Sequence, residues 1–75
     1  MDKKSMLLDH LAQARRHVAE GELHVARQRE LVAKLERDAH DARQARQTLN
    51  QFEELQQLHL ADRDRLEKEL AELSD

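Results

Sequence analysis

An unbroken 4-3 spacing runs through the first half of the chain: Leu7, Leu11, Ala14, Val18, Gly21, Val25, Gln28, Val32, Leu35 and Ala39. A second runs through the other half: Ala42, Ala45, Leu49, Phe52, Gln56, His59, Arg63, Leu66, Leu70 and Leu73. A spacing that averages about 3.5 residues places each set on one stripe of an α-helix. The two stripes do not share a phase. Residue 39 holds an a position in the first and residue 42 an a position in the second, a break of three residues. That break predicts two helices joined by a corner. A single bent helix with a local stammer at 39–42 is the competing reading. A structure with one uninterrupted helix through 36–46 would decide for the second.

Composition supports the helices. There is no Pro, no Trp and no Tyr, and only Gly21 and Phe52 stand for their types. Ala, Leu, Glu, Arg and Gln dominate, the strong helix formers. No alternating β-branched run or hairpin dipeptide suggests a strand. The fold class expected is therefore all-α: an antiparallel two-helix hairpin, a helical coiled coil in one domain spanning 1–75. Helix one is expected at about 6–38, the corner at 39–41 and helix two at about 42–73. Ser5 is the expected N-cap of helix one. Asp41 and Gln44 read as a variant capping box for helix two. A helix stop favours Gly in the left-handed conformation, and Ala39 stands in that place here.

The chain has no Cys, so neither disulfides nor thiolate metal sites enter the argument, and a cytoplasmic location fits. No apolar run resembles a signal peptide or a membrane span. Net charge is −3, with no overall nucleic-acid footprint. Residues 1–38 carry eight Lys/Arg against seven acids, and residues 39–75 carry five against nine. The halves thus differ mildly in sign, which suits packing against each other.

Folding the chain about position 40 sets up five attractive flanking pairs: His10 with Glu69, His17 with Asp62, Arg15 with Glu67, Arg29 with Glu53, and Glu36 with Arg46. Exposed pairs contribute about 0.2–1 kcal/mol each, and they act mainly on register. The middle of the seam is polar, with Gly21, Gln28, Gln56, His59 and Arg63. Gly inside a helix costs about 1 kcal/mol relative to Ala, so packing is its expected cause. Gly21 is expected to make room for His59 or Arg63.

Apolar positions also lie off the seam. Ala12, Ala19, Ala26 and Ala33 recur every seventh residue, flanked by Leu8 and Leu23; helix two adds Leu55, Leu58 and Leu60. A domain this small rarely builds enough core alone. These positions are the candidate interface with a second copy, dimerising the hairpin into a four-helix bundle, with another helical protein as the rival partner.

The stretch His17–Leu66 resembles a group of short uncharacterised bacterial proteins, most like those of soil and plant-associated alphaproteobacteria. HVAEG, the following His24, ARQREL, LERD with HD, FEELQ and DRDRL carry the resemblance. It implies a free-standing helical hairpin and brings no activity or site residues. That group reads Gly where this chain has Ala39, and Thr where it has Ala42.

Five histidines are the one chemical hint. His10, His17 and His24 recur every seven residues, about 10.5 Å apart on a helix, too far to share a metal. A metal site would need His17 or His24 together with His59 and Asp62 from the other helix. The plainer reading pairs these histidines with acids at the seam edge, and no cofactor is expected. Arg27, Arg29, Lys34, Arg37, Arg43 and Arg46 gather toward the corner. In architecture alone the chain resembles Rop, the plasmid copy-control protein, whose hairpin dimer binds RNA. Acids stand among these bases and no aromatic is there to stack on nucleotides, so nucleic acid is not the expected partner. No Ser or Thr has a His at helical spacing, so no enzyme is expected. The function expected is non-catalytic assembly or adaptor work through coiled-coil packing; RNA binding and His-based metal binding are the alternatives.

Overall fold

The computed structural model describes residues 2–73. Helix α1 spans Lys3–Arg37 and helix α2 spans Arg43–Leu73, antiparallel along one seam. Among the described residues there is no strand. The molecule measures 56 × 16 × 13 Å, one helix long and two helices wide.

Helix α1 starts earlier than expected. Its N-cap is Asp2, whose Oδ1 accepts from the Ser5 backbone N–H at 2.7 Å. Ser5 is therefore the N3 donor and not the cap. A carboxylate is favoured there, because it accepts an orphan N–H and faces the positive end of the helix dipole. Those bonds hold the Asp2 carboxyl below its ordinary range, the Ser5 backbone bond contributing most.

The corner occupies residues 38–42. Ala39 lies in the left-handed region at φ 58°. His40 N–H donates to Leu35 O at 2.8 Å, and Ala39 N–H donates to Glu36 O at 3.2 Å. These are the two bonds of a Schellman stop, closed on alanine where glycine is usual. Arg46 N–H then donates to Ala42 O at 2.9 Å, the first bond of α2. Asp41 caps from one residue before, its Oδ1 accepting the Arg43 N–H at 3.0 Å. Its carboxylate also takes the Arg43 guanidinium at 2.8 Å. The expected Asp41–Gln44 capping box is not what forms: both the backbone and the side-chain bonds that Asp41 accepts come from Arg43, two residues on. The Arg43 side chain is the largest cause holding the Asp41 carboxyl below its ordinary value of 3.8.

The two stripes become the seam. Leu7, Leu11, Ala14, Val18, Val25 and Val32 are buried on α1, and Gln56 and Leu66 on α2, with Ala42 beneath the corner. Leu7, Leu11, Ala14 and Leu66 form the tightest cluster, with Leu70 against it. The stripe ends are left out: Ala39 is exposed at the turn, and Leu73 is 42% exposed at the open end.

Two of the five expected flanking pairs form. Arg15 meets Glu67 at 3.4 Å, and Glu36 meets Arg46 at 2.7 Å. The pairs His10–Glu69, His17–Asp62 and Arg29–Glu53 do not appear as ion pairs. Asp62 and Glu69 are instead taken by Arg65 on their own helix, at 2.7 and 3.0 Å. Neighbours three and four residues apart on one helix meet with no tertiary constraint, and here they win.

An L-residue in the left-handed region costs about 1–2 kcal/mol, part of which glycine gives back through its freer unfolded chain. Ala39→Gly should raise stability by about 1 kcal/mol in urea unfolding, and a lowered midpoint would contradict the cap. Acid is the second test. A carboxyl with a depressed folded-state pKa stabilises above its unfolded value and loses that contribution as pH falls through the folded one. Melting temperature should therefore drop as pH falls below 3.8, and Asp41→Asn should flatten that drop.

Candidate functional site

The features of interest lie midway along the seam. Gln56 is the one buried polar residue among the described residues. Its Nε2 donates to the Val18 backbone carbonyl at 2.9 Å. It reaches that carbonyl across Gly21: a Cβ on Gly21 would overlap the Gln56 Oε1. Gly21 thus clears space for Gln56, one turn before His59 on α2. The expectation of His59 or Arg63 at that spot is corrected by this register. Gln56 pays for its place, because its Oε1 is buried without a hydrogen-bond partner. Gln28 makes the parallel contact nearer the corner, Nε2 to Ala45 O at 3.0 Å. Arg63 keeps its stem toward the seam and turns its guanidinium outward to Asp64 at 2.9 Å.

Gln56 divides two shallow grooves on opposite flanks. One, about 280 Å³, is lined by His17, His24, Phe52, Leu55 and His59 around Gly21. The other, about 320 Å³, lies between Glu22, Ala26, Arg29 and Glu53. In the first groove the His17 and His59 rings stand 5.3 Å apart, tilted by 45°. His24 packs instead on Phe52, at 5.7 Å between ring centres.

The four weak metal candidates are therefore not brought together as a set. His17 and His59 meet, His24 is on the phenyl ring, and Asp62 is held by Arg65. Among the described residues no group of three or more His, Cys, Asp or Glu is placed to hold a metal ion. The sequence leaves His17 and His24 as alternatives beside His59, and the inter-helix register chooses His17. The basic residues near the corner are partly committed: Arg43 to Asp41 and Arg46 to Glu36.

The candidate interface residues do not share one face. Leu8, Ala12, Ala19, Ala26 and Ala33 occupy e and b positions on the Ala26 flank, and Leu60, half-buried, joins them from α2. Leu55 and Leu58 occupy g and c positions on the histidine flank, and Leu23 lies on the outer surface. All except Leu60 are exposed, Leu58 most of all at 67%. Among the described residues, no helix is long and apolar enough to cross a membrane.

Comparison with known protein families, with curated proteins and with solved structures found no match.

The Gly21–Gln56 contact is measurable. Ala in place of Gly inside a helix should stabilise by about 0.8–1.0 kcal/mol when nothing opposes it. In the native chain, Gly21→Ala must displace the Gln56 amide and lose its bond to Val18, worth about 1 kcal/mol. Gly21→Ala should thus be nearly neutral alone and stabilising in a Gln56→Ala background. Urea unfolding of the four chains should give a coupling of about 1 kcal/mol. Additive effects would place Gln56 elsewhere.

Proposed function

We propose that this chain is a non-catalytic assembly module that packs its hairpin against a second copy, giving a cytoplasmic four-helix bundle. The observation that carries the reading is the uncovered apolar surface. Leu8, Leu23, Leu55 and Leu58 are 46–67% exposed, against eight buried hydrophobic residues among the described residues. One seam covers one side of each helix, and a second layer is the usual way such a hairpin gains enough core. The polar seam residues Gln28 and Gln56 support the same reading, because buried polar groups select register and partner at some cost in stability. The Cys-free composition fits a reducing compartment. No reaction is assigned, since the grooves are shallow and bring no hydroxyl nucleophile beside a histidine.

Light scattering at tens of micromolar should return twice the chain mass of 8.8 kDa. A monomer throughout that range would overturn self-assembly. A salt-dependent mobility shift with structured RNA would instead move the assignment to nucleic-acid binding.

A further inference from the structure

Resting on the assembly reading, we propose that the second copy docks on the histidine-bearing flank, with both corners at the same end and α1 of each copy against α2 of the other.

The two flanks differ in what they offer. On the histidine flank, α1 places Lys3, Arg27 and Lys34 at g and c positions against one acid, Glu20, with three histidines between. On the same flank, α2 places Asp62, Glu69 and Glu72 at those positions against Arg65 alone. Arg65 is shared between Asp62 and Glu69, so one cation serves two carboxylates and the α2 side stays net negative. Stacking α1 on α1 would set like charges together. Stacking α1 on α2 with the corners at one end sets Lys3 of each copy level with Glu69 and Glu72 of the other, once on each side of the two-fold axis, while Arg27 and Lys34 lie level with the uncharged Gln44, Thr48 and Gln51. With the axis along the hairpin, every neighbouring helix pair is antiparallel and the corners coincide.

The apolar features agree with that placement. Leu58 lies one helical turn from Leu55, which lines the groove together with Phe52, and the same-end arrangement brings two such grooves to one level, face to face. Each Leu58 then has the opposing groove to fill. The Ala26 flank has no comparable sign difference. Its α1 e positions alternate as Arg15, Glu22, Arg29 and Glu36, and both end residues are already paired within the chain.

The absence of Cys allows a clean label. His40→Cys, exposed at the corner, is spin-labelled and the label-to-label distance measured in the dimer. The same-end arrangement puts the labels within about 30 Å, and the opposite-end arrangement puts them about 50 Å apart, one helix length. Two exposed substitutions then locate the flank, with helicity checked by circular dichroism. Leu58→Glu, which would bury a charge, should weaken the dimer by about tenfold or more, while Ala26→Glu should leave it within about threefold. A long distance, or the reverse sensitivity, overturns this docking while leaving assembly intact. A parent chain that is monomeric by light scattering defeats the assembly reading itself.

Discussion

The chain reversal at Ala39 is the constraint on which everything else depends. Neither helix has a core of its own; each stripe is buried only because the other is folded back onto it. The reversal is held by two backbone bonds that close the end of α1 and by the Asp41 carboxylate at the start of α2. An alanine in the left-handed region bears this at a conformational cost that the seam offsets. A glycine there would make the corner firm locally. With alanine, the corner leans more on tertiary packing.

Along the seam, apolar and polar layers do different work. The leucine cluster at the open end supplies burial, which is nearly indifferent to small shifts in register. Gln56 is not indifferent. Its amide finds the Val18 carbonyl only where Gly21 removes a side chain, so one alignment of the helices satisfies the donor. The unpartnered Oε1 is the cost of that choice. The same contact sets which residues meet on the flanks, including His17 with His59.

The two flanks inherit different chemistry from one register. One is a row of alanines beside charges of alternating sign. The other carries the three α1 histidines, with His59 and the single phenyl ring opening onto it from the seam, and the most exposed leucine. A hairpin with two unlike flanks can present one to a partner and keep the other in water, which suits closed pairing better than open filaments.

The sequence alone determined the elements, because helical periodicity and its break are local properties. The seam stripes, the corner within a residue or two, and the Arg15–Glu67 and Glu36–Arg46 pairs could all be read from spacing. The N-cap was misplaced from Asp2 to Ser5 because both residue types can accept the same bond. The identity of the residue over Gly21 was not legible, since Gln56 and His59 are neighbours on the same stripe and a shift of one turn exchanges them. For the same reason the four metal candidates could be grouped on paper and yet fall into separate contacts. Only the tertiary structure decided those matters, because they turn on the alignment of two helices, and that alignment is chosen by a buried amide and a missing Cβ.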